Sequence, residues 1–417
     1  MKTFFKISLL LLLINLQNIW AQEHKIVLHN KAKSSVIAAI KTHLEESYVD
    51  LDNAKKMIAA LDTNFKSKKY EKITNPTEFA RILTQDLQSI SKDLHLKIRF
   101  EPERITQENR VISKEMKLEM EKRVTTQMKD INYGFTEVKI LEGNIGYLNL
   151  RLFADVKDAE ETATATMNFL SNTNAIIIDL RTNGGGVPNM VQLLSSYFFD
   201  EIPVLLNDFY ERKTGIKNQL YTLSAVNGKR SLNKPVYLLT GKQTFSAAEA
   251  FTYALKHLGR ATVIGQTTQG GANRTKRINL NEAFTIAVPY IKAINLITKT
   301  NWEGSGIQPD MTTSEEKAFV YAYISAIHKT APGNMGILLN KIGYTLLKDQ
   351  SVDNAIIIFQ EAVKLFPDSA NAWDSLGEAY SIAKDVENAL NAYKKALEID
   401  PTLESAKAMI EKLQSNK

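Results

Sequence analysis

Pro235-Val236-Tyr237-Leu238-Leu239-Thr240, then Gly241-Lys242-Gln243, then Thr244-Phe245-Ser246-Ala247-Ala248-Glu249-Ala250, reads as a strand, a turn and a helix start. The first run is apolar and partly β-branched, and after the turn Phe251, Ala254, Leu255 and Leu258 recur at helical spacing. A serine at such a junction sits where amide groups converge and the helix field is positive. That environment suits a nucleophile whose attack creates an oxyanion. The same residues also read as a plain helix start, with Thr244 or Ser246 as N-cap and Glu249 closing a capping box onto Ser246. This stretch alone leaves both readings open.

Working outward, an α/β pattern surrounds it. Ile145–Leu150 reads as a strand, residues 157–170 as a helix, and Ala175–Arg181 as a near-continuous apolar strand of the kind buried on both faces. Asn183-Gly184-Gly185-Gly186 follows at that strand's end, where glycines permit positive φ and close backbone approach. The run makes either an oxyanion cradle or a tight turn. It lacks the Lys-Ser/Thr of a P-loop, which argues against nucleotide phosphate. Ala261–Gly265 continues the strand–helix alternation, Phe284, Ile286 and Val288 alternate in a hairpin over 277–290, and a helix closes the region through His328.

Upstream, residues 33–93 carry helical apolar stripes: Val36, Ile37, Ile40, Leu44 and Tyr48; Ala54, Met57, Ile58, Leu61 and Phe65; Phe79, Leu83, Leu87 and Ile90. Asn75-Pro76 marks a helix start. In Asp93-Leu94-His95-Leu96-Lys97-Ile98-Arg99-Phe100, alternation places Leu96, Ile98 and Phe100 on one strand face and an exposed His95 with Lys97 and Arg99 on the other. Residues 107–130, rich in Lys, Glu and Met, predict one exposed helix that packs a single face on its neighbour.

Downstream, Gly343, Ala355, Phe359, Ala362 and Pro367 recur as Gly377, Ala389, Tyr393, Ala396 and Pro401, an offset of 34 residues. That is the period of the tetratricopeptide helix–turn–helix repeat. Two copies fall below the usual stable minimum, so residues 402–415 are expected to add a capping helix, and the array must lean on a neighbour.

The 417 residues carry a formal net charge of +6 without a basic stripe interleaved with aromatics, which gives no support to nucleic-acid binding. Met1–Lys6, the apolar run Ile7–Leu13 and Ile19-Trp20-Ala21 read as a signal peptide cut before Gln22. Export to the periplasm or the outside is therefore expected. No cysteine is present, so disulfide and thiol chemistry are excluded. No later segment is long and apolar enough for a membrane span, and no ligand-spaced His/Glu pair suggests a metal.

The motifs together resemble the tail-specific, or C-terminal-processing, serine protease superfamily, in the branch that includes the interphotoreceptor retinoid-binding protein repeats and the tricorn core. They are Asp179-Leu180-Arg181-x-Asn183-Gly184-Gly185-Gly186, Thr244–Glu249, Gly265-x-x-Thr268-x-Gly270-Gly271 and Asn301-Trp302-Glu303-Gly304-x-Gly306-x-x-Pro309-Asp310. The resemblance covers about 140–328 and implies a ClpP/crotonase-like α/β core and an acyl-enzyme mechanism; with neither a P-loop nor a ligand-spaced His/Glu pair, no cofactor is expected. It implies Ser246 as nucleophile and the amides of Gly186 and Ala247 as oxyanion hole. Gly271 stands where Ser–Lys relatives carry the base lysine, with Lys276 further along the loop. Asn149 stands where the tricorn branch carries its histidine. Other secreted relatives take the base from an Asp-x-His motif, which Asp93-Leu94-His95 matches, so the resemblance implies His95 as base and Glu303 as its orienting carboxylate.

The expected organisation is a signal peptide over 1–21, an N-terminal helical unit over 22–106 ending in the His95 strand, a helical connector over 107–142, the protease core over 143–330, and repeats over 334–417. The stretch between His95 and Gly143 is too short for a PDZ module. The expected substrate is an extended or unfolded peptide, with a protein partner on the repeats. Two other readings of the scaffold stay open: a non-catalytic binder of hydrophobic ligand or peptide, and a repeat-based scaffold.

Overall fold

The computed structural model describes residues 27–109 and 114–415. The expected signal peptide lies outside the described residues. The chain forms two compact units, one from the described residues up to 109 together with 275–290, the other from 114–274 with 291–415.

In the first unit three helices, α1 (Asn30–Ser47), α2 (Leu51–Lys66) and α3 (Pro76–Ser91), realise the predicted stripes. Val36, Ile40, Leu44, Met57, Leu61, Phe79, Leu83 and Leu87 are fully buried in one cluster. The Asn75 side chain accepts the Glu78 N–H, as expected for a Pro-led helix start. Strand β1 (Lys97–Phe100) pairs antiparallel with residues 284–287, and Leu96, Ile98, Phe284, Ile286 and Val288 cover the helices.

The connector differs from the single helix expected. Helix α4 (Pro102–Asn109) starts five residues early, at a proline suited to a first turn, and α5 spans Lys114–Asp130. Met116, Leu118, Met120 and Val124 of α5 are exposed, while Thr125 and Met128 are half-buried. The stretch expected to be helical then ends in strand β2 (Phe135–Leu141). Its apolar residues do not alternate because it is a sheet edge, paired on one side with β3 (Ile145–Leu150).

The second unit is built on a six-stranded sheet. β3, β4 (Ala175–Asp179), β7 (Val236–Thr240), β8 (Thr262–Gly265) and β11 (Met311–Thr312) run parallel in the order β11-β8-β7-β4-β3, with β2 antiparallel at the edge. Alternate residues serve opposite faces. Leu148, Ile176, Ile178, Leu238 and Val263 pack against helices α6 (Val156–Phe169), α7 (Pro188–Ser196) and α8 (Ala247–His257). Tyr147, Ile177, Leu239 and Ile264 pack against α9 (Glu315–Thr330). The continuous apolar strand is thus covered on both faces, as read from its composition. A hairpin of β5 (Leu205–Glu211) and β6 (Lys217–Tyr221) pairs with residues 291–294, the end of a strand β10 (Phe284–Ile294) that also pairs with β9 (Arg274–Asn279).

The repeats are four helices, α10 (Met335–Lys348), α11 (Val352–Leu365), α12 (Ala370–Ile382) and α13 (Val386–Ile399), followed by a capping helix α14 (Glu404–Ser415). A Cβ on Gly343 would lie 2.4 Å from the Phe359 ring, and one on Gly377 would lie 2.8 Å from Tyr393. The repeated Gly–aromatic pair is therefore a helix-crossing contact. The array does lean on a neighbour: Leu339, Ile342, Ile358 and Phe359 share one core with Ala322, Tyr323 and Ile327 of α9.

Candidate active site

Within the second unit the loops at the carboxyl ends of β4, β7 and β8 meet. Asp179, which ends β4, accepts Tyr147 Oη at 2.9 Å and is clamped by the Arg181 guanidinium, whose Nη1 reaches the carbonyl of Glu315. The Asp-Leu-Arg part of the motif is thus structural. Asn183, fully buried, donates to Leu150 O and accepts the Gly185 N–H at 2.8 Å, and its own carbonyl accepts the Phe245 N–H at 3.0 Å. Thr244, also fully buried, donates its hydroxyl to Leu180 O at 2.8 Å. These bonds bring the glycine loop against the serine loop.

Gly185, at φ +104°, marks the contact. A Cβ there would stand 2.8 Å from Ser246 Cβ, 2.9 Å from Phe245 O and 3.0 Å from Ala247 N. Those atoms are backbone or next to it and cannot yield cheaply. Gly185→Ala is therefore expected to cost on the order of 3 kcal/mol in stability and to displace the serine. Proteolytic activity should fall by about 100-fold or more, as ångström-scale misplacement does. Urea unfolding and a peptide hydrolysis assay check the two parts.

Ser246 directly precedes α8 with φ 54° and ψ −116°. An ordinary N-cap serine sits in the β region. A positive φ on a non-glycine residue is strained, on the order of 1–3 kcal/mol, and such strain gathers at functional sites. The expected capping box is present: Ser246 N–H donates to Glu249 Oε2 at 2.9 Å, and the Ser246 side chain faces the Glu249 backbone N–H. Among the described residues, neither Gly186 N–H nor Ala247 N–H donates to a protein acceptor. An unused amide directly after a strained, half-buried serine at a helix N-terminus, and a second in the glycine loop packed against it, are the kind of donors an oxyanion hole uses.

That backbone sets Ser246 apart from an ordinary cap. The profile of peptidase family S41 matches residues 144–313, and the N-terminal domain of peptidase S41 in eukaryotic IRBP matches 17–133. Residues 144–313 carry a peptidase family S41 domain. A tetratricopeptide repeat profile matches residues 370–403. The chain is similar to the probable CtpA-like serine protease of Staphylococcus aureus (strain MSSA476), 24% identical over 261 residues, or 59% of this chain and 51% of that protein. It is similar to the carboxy-terminal processing protease CtpA of Bacillus subtilis, 28% identical over 136 residues, or 33% of this chain and 28% of that one. The chain thus spans about half, or less, of these S41 relatives. Among solved structures, a lipoprotein from Streptococcus agalactiae resembles it with a TM-score of 0.48 at 15% identity, covering 71% of this chain and 96% of that one.

The remaining S41 motif residues fall in one hydrogen-bonded series. Glu249, read from sequence only as a cap partner, is fully buried and accepts from Ser246 N, Thr268 Oγ1, Gly270 N and Gly271 N at 2.5–2.9 Å. Burial raises its carboxyl to about 7, against the pull of those bonds. Gly270 and Gly271 then bind the Glu303 loop: Gly304 N–H donates to Gly270 O, and the Trp302 indole N–H donates to Gly271 O at 2.9 Å. Trp302 is buried with its ring 4.8 Å from that of Tyr253 on α8. Glu303 Oε2 accepts the amides of Ala272 at 2.6 Å and Asn273 at 2.9 Å, which fixes the carboxylate. Ser246, Gly186, Ala247 and Glu303 all belong to the second unit.

His95 belongs to the first unit. It lies in the turn before β1 rather than on the strand. Its side chain is only 14% exposed, so the exposed histidine expected from alternation is corrected. The cause is the turn: His95 N–H donates to Oδ1 of the fully buried Asp93, and Gln88 Nε2 donates to the carbonyls of Leu94 and Leu96. Within this unit His95 opens onto a cleft of about 180 Å³ that Lys97, Arg99 and Arg277 also line. Burial, reinforced by the Lys97 charge, lowers the imidazole to about 4. Lys276, the other conceivable base, is engaged in the same unit, 3.2 Å from Ser47 Oγ and 5.1 Å from the Tyr290 ring centre.

Proposed function

We propose that this chain is an exported serine endopeptidase that cleaves extended or unfolded peptides through an acyl-enzyme. Ser246 Oγ attacks the scissile carbonyl carbon, and His95 takes the hydroxyl proton and passes it to the leaving amine. Water then attacks the ester with His95 again as base, and Glu303 orients the imidazole. The amides of Gly186 and Ala247 hold the oxyanion. The observation that carries the reading is the strained Ser246 backbone beside two unengaged amides. The Asp93-x-His95 turn and a glutamate held by two amides support the other roles. A serine-directed phosphonate should label the protein at Ser246, and a denatured protein substrate should be cut. A chain that shows neither sinks the proposal in favour of a non-catalytic binder.

The base assignment has its own test. An imidazole lowered to about 4 is neutral and able to accept a proton throughout the neutral range, so kcat/KM should hold down to well below pH 6 on the His95 limb. Removing the neighbouring charge with Lys97→Ala stabilises the imidazolium and raises that pKa. The acid limb should then move to higher pH. A limb that stays in place, or full activity in His95→Ala, assigns the base elsewhere.

A further inference from the structure

The inner sides of the two repeats carry a polar cluster that the proposed hydrolysis does not use. Asp374 and Glu378 lie one turn apart on α12. Tyr344 of α10 donates its hydroxyl to Glu378 at 2.8 Å and lies 3.2 Å from Ser375 Oγ, and Ser375 donates to Asn340 Oδ1 at 2.9 Å. Ser405 of α14 donates to Asp374 Oδ2 at 3.0 Å. Among the described residues no lysine or arginine is ion-paired with either carboxylate, and Asp374 Oδ1 is buried without a hydrogen-bond partner. Lys341 of α10 is paired with Glu142 at 2.8 Å.

A second observation points to a ligand. Tyr393 of α13 is 1% exposed, and its hydroxyl has no partner among the described residues. Burial first, then the charges of Asp374 and Glu378, raise its phenol, which sets the hydroxyl among those carboxylates. Burial, with the Glu378 charge, likewise raises the Asp374 carboxyl despite the Ser405 bond. Two carboxylates and a buried hydroxyl without a cation form a receptor for a multi-donor positive group. Adjoining it is an apolar groove of about 350 Å³ between α10 and α12, reached through Asn340 and walled by Phe366, Ala362 and a 75% exposed Ile337.

We propose that the repeat face captures an extended polypeptide segment in which a lysine or arginine side chain reaches Asp374 and Glu378 while a neighbouring apolar side chain fills the Phe366 groove. Charge complementarity selects the occupant: a carboxylate-bearing peptide would meet two like charges. The repeats would then hold cationic, partly apolar chains at a place independent of the Ser246 chemistry.

The test uses the full chain carrying Ser246→Ala, so that no probe is cut, and fluorescence anisotropy of a short labelled peptide of alternating Lys and Leu. Binding is expected, and it should weaken with added salt. Asp374→Asn with Glu378→Gln removes the charges while leaving acceptors for Ser405 and Tyr344, and should weaken binding by about tenfold or more. Ile337→Asn, on an exposed side chain, should weaken it several-fold. The matching Glu-Leu peptide should bind much more weakly. Equal binding by the double variant, or by the Glu-Leu peptide, overturns the proposal, with circular dichroism melting confirming that each variant is folded.

Discussion

Ser246→Ala is expected to abolish hydrolysis of an unfolded protein, with kcat falling by roughly 10⁵–10⁶-fold, the usual result of removing a nucleophile that acts in concert with its base. Phosphonate labelling should vanish with it. Those losses test catalysis; a second substitution tests why the serine is there. At φ 54° and ψ −116° a side chain is strained, and glycine is not. If Ser246 were only a helix cap, Ser246→Gly would cost a few tenths of a kcal/mol. With strain on the order of 1–3 kcal/mol released, against about 1 kcal/mol of added chain entropy in the unfolded state, the glycine variant should instead match or exceed the parent in stability. Urea unfolding of the parent and both variants decides it. A glycine variant clearly less stable than the parent would return Ser246 to the role of a cap.

The architecture was legible because its signals are periodic. The strand Ala175–Asp179, the strand Val236–Thr240 and the helix after Ser246 announce themselves by burial pattern, and the repeats by a 34-residue offset. What escaped was structure whose apolar residues lack a period. Strand β2 has one pairing neighbour and a mostly exposed surface, so nothing enforces alternation. In α5 the Lys-, Glu- and Met-rich composition reads as an exposed helix with one packed face, but composition cannot fix which residues that face would hold.

The site divides in the same way. Ser246, Gly186 and Glu303 lie in the loops that the motifs lead one to expect at strand ends. The burial of His95 was missed because alternation assumes a strand, and an Asp-x-His sequence folds as a side-chain-capped turn instead. Glu249 was missed in a different sense. Its local bond to Ser246 is legible, but the other three donors come from residues 268–271, and no local pattern reports a contact across that separation.

Glu249 should consequently matter almost as much as the serine. Glu249→Ala leaves the buried amides of Ser246, Gly270 and Gly271 and the Thr268 hydroxyl without their acceptor. Each buried orphan costs about 1–3 kcal/mol, so a loss on the order of 4 kcal/mol is expected even with partial relaxation. Because one end of this series sets the serine and the other sets the loop of Glu303, kcat should drop by about 100–1,000-fold in whatever fraction stays folded. The pH dependence gives a readout that simple misfolding does not. The folded carboxyl at about 7 lies above an unfolded value of about 4.3, so the native state holds the proton more tightly. Stability contributed by that proton is present at acid pH and is lost as pH rises from about 4.3 to about 7, by on the order of 3 kcal/mol. Glu249→Gln removes the titration, so the parent's unfolding free energy minus the variant's should increase as pH falls through this window. An unchanged difference between pH 5 and pH 8 would show that the four donors hold Glu249 ionised throughout, the hydrogen bonds having outweighed burial.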